Sequence, residues 1–374
     1  MKIWMIGRGI PTHKNPMHGI FECDQAKALK NAGHDIVFLT VDLRSLRRWR
    51  RWGIYYTEID NLPVVSINIP CGAISRGLYE KIGIWAFNRL YRKAEKKFGK
   101  PDVIHAHFWD IACFCTSIIG KENIKYVITE HSSLILNEPI EKSVYKMAKK
   151  AYNSANTVIA VSNTLRQRIL KHYDINPKVV CNMLDEKSFP LERSLIQKQS
   201  KEAFVFVSCG NLVHGKGFDL LLEAFSRMDI PAKLIIFGDG PLRKELEKKS
   251  FDLHVDERVV FMGRCERSLI REVYLESDCF VLPSRYETFG VVYIEALACG
   301  LPVIATRCGG PEDIVNDNIG LLIEKENIDE LSKALDFMYL HRDKFSSLEC
   351  VDYIKKNYSQ DAIVLELEKV YSEI

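Results

Sequence analysis

The chain has 374 residues, too many for one ordinary core, so two domains are expected. Its composition, 47% hydrophobic and 27% charged, is that of a globular protein, and no apolar run approaches the roughly 20 residues that span a bilayer. The net charge of +3 hides an asymmetry: residues 1–190 hold 29 Lys/Arg against 17 Asp/Glu and the remainder 23 against 32, so different partners are expected for a basic and an acidic half. Eleven cysteines are scattered without CxxC spacing, Cys113 and Cys115 forming only a CxC, which argues for a reduced, cytoplasmic compartment and against structural zinc.

In chain order, the apolar start Lys2–Ile6 is too short for a secretory segment and reads as a first strand. The glycines after it, GRGIPT, do not complete GxGxxG because Thr12 stands in the third place, so dinucleotide binding is discounted. The loop Gly7–Gly19 is long enough to border a site. A helix follows over Ile20–Asn31, closed by Gly33, then a strand over Asp35–Val41. Residues 44–52, RSLRRWRRW, pack five arginines and two tryptophans into nine positions: Arg44, Arg47, Arg48, Trp49, Arg50, Arg51 and Trp52. Such a mixture suits a membrane–water interface or an anionic acceptor. A solvated loop remains open for the same residues, and nucleic acid, which the composition also fits, is not the expected partner. The helix Leu78–Phe98 places Leu78, Ile82, Trp85, Ala86 and Leu90 on one stripe, read as core-facing. In PDVIHAH, alternation puts His105 and His107 on one face of a strand over Val103–His105. No further zinc ligand stands near them, so His105 is expected to be structural and His107 to belong to a site at the strand's end. Strands over Lys125–Thr129, Thr157–Val161 and Lys178–Cys181 complete the first half.

The polar stretch 186–202 reads as a linker. A second strand series follows over Phe204–Ser208, Lys233–Phe237, Val259–Phe261, Cys279–Leu282, Val303–Ala305 and Leu321–Ile323, with closing helices over Ile328–Leu340 and Gln360–Tyr371. Strands alternating with helices argue for parallel sheets, hence an α/β protein of two Rossmann-like, doubly wound domains facing a cleft, with ligands at the carboxyl ends of the strands. The loop GNLVHGKG, Gly210–Gly217, sets Lys216 at the amino end of a helix, where a cation opposes the dipole unless an anion lies between. Gly238–Gly240 reads as a tight turn with Asp239 as an N-cap. Near Phe289 another helix begins, and its free N–H groups, with Gly290 allowing close approach, make a seat for a diphosphate. Glu287 precedes that seat, placed to accept hydroxyl groups. Glu295, the only charge between Phe289 and Thr306, needs a partner from the protein or from a ligand such as a ribose. There is no DxD for a metal–diphosphate complex and no GxSxG, so neither metal nor cofactor is expected.

With these residues in view, the chain resembles the retaining glycosyltransferases of family 4, which have the GT-B fold. The second half carries the resemblance through GNLVHGKGFDLLLEAF, FGDGPLRKEL, VVFMGRC and PSRYETFGVVYIEALACGLPVIATRCGGPEDIV, which contains the family's Glu-x7-Glu. The first half is similar more loosely, through HGIF, PDVIHAH, TEHSS and VIAVSNTL. The resemblance implies an acceptor-binding domain over 1–185, a nucleotide-sugar domain over 203–355, and a C-terminal helix, 356–374, packing back on the first domain. By the same resemblance, Glu287 contacts the donor sugar, Glu295 the ribose and Lys216 the diphosphate. Thr288, Phe289, Gly290 and Val291 line the phosphate and sugar, Gly263 and Arg264 read the base, Gly19 lies near the phosphate, and His107 lies beside the reacting sugar. One departure stands out: Asn211 replaces the arginine common in the family, with Arg285 or Arg243 as candidate substitutes. The expected activity is transfer of a sugar from a UDP- or GDP-sugar to a glycan or lipid-linked acceptor of the cell surface, at the cytoplasmic face of a membrane. A nucleotide-sugar epimerase and a catalytically silent GT-B subunit remain open.

Overall fold

A computed structural model describes residues 1–12, 18–45, 50–72, 74–122, 124–192 and 203–374. The chain divides into two units, Met1–Asn182 with Ile363–Ile374, and Met183–Ala362.

The first unit is built on an eight-stranded sheet: β1 Lys2–Gly7, β2 Asp35–Asp42, β3 Gly53–Ile59, β4 Leu62–Asn68, β5 Val103–His107, β6 Lys125–Glu130, β7 Thr157–Ala160 and β8 Lys178–Val179. Its order is β3–β4–β2–β1–β5–β6–β7–β8, and every described pairing is parallel except β3 with β4. The hairpin β3–β4 was not anticipated. Asp60 and Asn61 form its two-residue turn with φ of 49° and 63°, the left-handed pair that matches strand twist. Helices α1 Ile20–Asn31, α2 Arg76–Phe98, α3 Trp109–Glu122, α4 Lys142–Tyr152 and α5 Asn163–Tyr173 alternate with the strands.

Helix α2 corrects the expected stripe. Ala86 and Leu90 are buried, with Gly83, Phe87, Tyr91 and Ala94, but Leu78 and Trp85 are 47% and 56% exposed. Phe87, Leu90 and Ala94 centre the buried face, and at 3.6 residues per turn Leu78 and Trp85 fall on the far side. That face is fixed by Gly83, where a Cβ would come within 2.2 Å of the Phe114 ring on α3.

The second unit carries a six-stranded parallel sheet: β9 Phe204–Cys209, β10 Ala232–Phe237, β11 Val259–Gly263, β12 Cys279–Leu282, β13 Val303–Thr306 and β14 Gly320–Ile323, in the order β11–β10–β9–β12–β13–β14. Its helices are α6 Phe218–Ser226, α7 Arg243–Asp252, α8 Arg267–Glu276, α9 Val291–Ala298, α10 Ile328–Leu340 and α11 Ser347–Asn357. The last helix, α12 Gln360–Ser372, starts in this unit and ends in the first. There Glu368 meets His34 at 2.8 Å, and Tyr371 meets His105 at 2.7 Å. The segment after Asn182 packs within the second unit: Asp185 pairs with Arg267 at 2.5 Å, Glu186 accepts from the Gln360 amide, and the Phe189 and Tyr274 rings lie 6.2 Å apart. Of the stretch read as linker, residues 193–202 lie outside the described ones. No described helix is long and apolar enough to cross a membrane.

Candidate active site

In the second unit, two loops at the carboxyl edge of the sheet are locked together. One runs from β9 to α6, the other from β12 to α9. Gly217 caps α6 at φ 69°, and a Cβ there would lie 2.0 Å from the Pro283 carbonyl oxygen. Only glycine permits that approach. The Arg285 amide donates to the Gly215 carbonyl at 2.8 Å, and Tyr286 lies so close to Gly215 that a Cβ would meet its ring at 2.5 Å.

This closure delivers Lys216 to Glu287, whose Oε1 accepts from the ammonium and, at 3.0 Å, from Ser284 Oγ. Lys216 stands at the amino end of α6 as expected, in the turn His214–Lys216 directly before the Gly217 cap, and there the Glu287 carboxylate answers its charge. Glu287 is buried and held by its backbone, donating to the Cys308 carbonyl at 3.3 Å and accepting from the Gly310 amide at 2.9 Å. Three residues on, Gly290 caps α9 at φ 94°, and a Cβ would strike the Tyr293 ring at 2.6 Å. Tyr293 is anchored by its hydroxyl, which donates to the Leu282 carbonyl at 2.8 Å. Val291 opens the helix, Thr288 is half-buried, and Phe289 is buried with Gly310 against its backbone.

Glu295, one helical turn further, finds the partner its isolation demanded in Arg267 at 3.3 Å. Arg267 is held from the other side by Asp185. No spacing rule links Arg267 to Glu295: it is the first residue of a different helix, and only the fold joins them. The half-buried Cys209 thiol is pushed up to about 12, by desolvation first and then by the nearby Glu295 charge. Gly263 ends β11 at φ 72° beside Arg243, and Arg264 next to it is exposed. Asn211 is exposed, its carbonyl taken by the Val213 amide. Neither suggested substitute for the missing arginine is open. Arg285 is held by Asp219 at 2.7 and 2.8 Å, by Glu326 at 2.6 Å and by the His214 carbonyl. Arg243 binds Glu247 and the Phe261 carbonyl. Asp239 is not an N-cap either: its carboxylate accepts from the Gly240 amide, and Leu242 caps α7.

In the first unit the groups stack at strand ends. His105 is saturated, one ring nitrogen on Tyr371 and the other on Thr129 Oγ1 at 2.7 Å, and burial lowers it to about 3. His107 lies parallel to it at 4.7 Å and contacts His131 Nε2 at 3.0 Å through Nδ1. Its Nε2 finds no hydrogen-bond partner among the described residues. Burial first, then His105 and His131, hold its pKa well below the usual value, so the ring is neutral. The strand end does not set it at an open mouth: His107 is fully buried. Beside it, Phe108 adopts φ 67°, a strained value for a bulky residue, and carries the Arg8 guanidinium 3.7 Å above its ring. Asp110 accepts from Arg8 at 2.8 Å and from the Tyr79 hydroxyl at 3.0 Å. Glu130 accepts from the His131 and Ser132 amides and from the Tyr152 hydroxyl, yet burial outweighs them and raises it to about 7. Arg8, Asp110 and Glu130 were not singled out from the sequence, although HAHFWD and TEHSS carry two of them. Gly19 caps α1 at φ 68°, its α-carbon pressed against the Gly9 carbonyl.

In the basic segment, Arg44 and Arg50 both turn onto Asp42 at 2.5 Å, Arg50 also covers the Trp52 ring, and Arg51 lies 5.5 Å from the Tyr55 ring. Arg47, Arg48 and Trp49 lie outside the described residues. Among the described residues, no group of three His, Cys, Asp or Glu is placed to hold a metal.

Two family profiles cover most of the chain: the one described as Glycosyl transferases group 1 matches residues 192–360, and Glycosyltransferase Family 4 matches 23–187. The chain belongs to the family 4 glycosyltransferases. This glycosyltransferase is 26% identical over 374 residues to N-acetyl-alpha-D-glucosaminyl L-malate synthase of Bacillus anthracis, covering 95% of this chain and 93% of that one. It is 27% identical over 285 residues to the phosphatidylinositol N-acetylglucosaminyltransferase gpi3 subunit of Schizosaccharomyces pombe, covering 73% and 61%. Among solved structures, sucrose-phosphate synthase from Thermosynechococcus elongatus superposes with a TM-score of 0.78 at 19% identity over 99% of this chain and 98% of that one. Anabaena HepE in complex with UDP gives 0.77 at 20% identity over the whole of both. The fold is therefore GT-B, and the glycosyltransferase acts on a nucleotide-sugar donor.

Proposed function

We propose that the enzyme transfers a hexosyl group, with retention and without a metal, from a UDP- or GDP-sugar to a glycan or lipid-linked acceptor used in cell-surface polysaccharide synthesis. The observation that carries this reading is the Lys216–Glu287 pair at the amino end of α9. Each partner holds the other where a donor would need both. A diphosphate arriving at the α9 amides takes the ammonium, and the freed carboxylate accepts the sugar hydroxyls.

In the reaction the bond from the anomeric carbon to the phosphate oxygen breaks and its electron pair leaves with the nucleoside diphosphate. The acceptor oxygen forms the new bond on the departing face, and the acceptor proton passes to the leaving phosphate oxygen. Positive charge builds on the sugar and negative charge on the leaving group. Lys216 and the backbone amides of Phe289, Gly290 and Val291 stabilise the latter, with Thr288 beside them. Glu295 holds the ribose, and Gly263, Arg264 and Asn211 border the base and phosphate. His107, expected beside the reacting sugar, is neutral and fully buried, and no contact with the donor is assigned to it.

The acceptor is presented at the anionic inner face of a membrane. The relative whose name specifies phosphatidylinositol supports this, as does the basic charge of residues 1–190. Nucleotide release across a panel of UDP-, GDP- and ADP-sugars tests the reading: one donor should be turned over without added metal and with retained anomeric configuration in the product. Failure of every donor, or release only after 2-epimerisation of the sugar, would remove it.

A further inference from the structure

Helix α2, about 35 Å long at 1.5 Å per residue, has two opposed faces. One is buried against the first unit's core. The other presents Leu78 and Trp85 among Lys81, Arg89, Arg92 and Lys96, all exposed and within roughly a third of the helix circumference. Trp85 lies near the middle of this stripe, with the Arg89 guanidinium 5.9 Å from its ring centroid. The helix's two acids, Glu80 and Glu95, stand on the flanks and face Lys150 at 2.7 Å and Lys100 at 3.9 Å. Along the last turns of the helix, exposed Tyr56 on β3 donates to the Lys93 carbonyl at 3.4 Å, and its ring lies 4.2 Å from Lys97 Nζ.

A solitary exposed tryptophan needs no explanation. One set centrally in a row of cations with no acid between them does, because like charges repel along such a face unless something negative covers it. A protein partner would have to supply a matching acidic strip. A nucleic acid would match the charge but leave Leu78 in water. A lipid surface matches both: phosphate headgroups pair with the cations while indole and leucine enter the interfacial layer. We propose that α2 docks lengthwise on an anionic lipid surface through Leu78, Trp85, Lys81, Arg89, Arg92 and Lys96. This rests on the reading of a membrane-presented acceptor and moves the contact away from Arg44 and Arg50, whose charges Asp42 already holds.

The full-length protein is floated with phosphatidylcholine vesicles with and without phosphatidylglycerol, and nucleotide release from the donor is followed in vesicle-free buffer. The wild type should float only with the anionic vesicles and detach in high salt. Each of Lys81→Gln, Arg89→Gln, Arg92→Gln and Lys96→Gln should lower the partition constant about fivefold, and Trp85→Phe should abolish the vesicle-induced blue shift of tryptophan emission. All these variants should keep the wild-type rate of nucleotide release. Wild type that stays unbound, a quadruple glutamine variant that floats equally well, or Trp85 emission that responds to single-stranded RNA and not to vesicles overturns the proposal. Normal nucleotide release without flotation sinks the lipid surface alone; flotation without turnover of any donor sinks the enzymatic reading and leaves the surface standing.

Discussion

In the second unit the charged groups of the site sit on loops whose backbones are clamped by glycines, so that Lys216 and Glu287 meet where Gly217 touches Pro283. In the first unit the polar groups sit at strand ends, ring stacked on ring, with His105 and His107 buried, His131 half-buried and all three neutral. One arrangement holds opposite charges for a ligand to separate. The other keeps its stacked histidine rings uncharged by burial. The first should answer to substitution at single residues, the second to pH, and each can be disturbed while the other is watched.

The largest effect expected is acid unfolding confined to the first unit. A histidine whose folded pKa is depressed binds fewer protons folded than unfolded, so its contribution is full above about 6.5 and is lost as pH falls toward 3. Glu130 works in the opposite sense: raised to about 7 by burial, it favours the fold below pH 4.5 and loses that contribution as pH rises through 7. All five tryptophans lie within residues 1–182, so their emission reports this unit alone. Their transition should come at higher pH than loss of far-UV dichroism from the rest. Coincident transitions would mean that the histidine stack does not set acid stability.

Lys216→Ala should lower kcat/KM for the donor by about a hundred- to a thousandfold, the usual loss when a preorganised donor to a developing anion is removed. The tryptophan acid transition should not move, and a joint change would show that the two units are not independent. Gly217→Ala combines a left-handed backbone with a 2.0 Å contact and should destabilise the second unit by about 2 kcal/mol or more, read in thermal unfolding. The smallest effect is expected of Arg267→Ala. With Glu295 left buried beside an empty position, donor KM should rise about tenfold with little change in kcat, and Arg267→Lys should restore part of it.

The same contrast explains what could be read beforehand. The strands of the second unit were legible to within a residue or two because short apolar runs end at glycine, proline or a charge, and Glu295 was visible because the helix around it is otherwise uncharged. Arg267 was not, since a buried acid announces that it needs a partner but not which one. In the first unit, HxH alternation placed His105 and His107 on one face, where their rings stack, but it carried no sign that His107 would be as fully buried as His105. The β3–β4 hairpin escaped because its turn, Asp60–Asn61, lacks glycine and its strands alternate weakly. Trp85 was assigned inward because a stripe of apolar residues fixes a face only when its members cluster. Here Leu78 and Trp85 lie across the helix from Phe87 and Ala94.

The chain leaves its first unit at Asn182 and returns only for Ile363–Ile374, where Tyr371 satisfies His105. The second unit is continuous and can finish folding as it emerges from the ribosome. The first must wait, buried His105 lacking its Tyr371 partner, until Ile363–Ile374 are made. A stop codon just before Ile363 would therefore cripple the half of the molecule that is synthesised earliest and spare the half that is synthesised later.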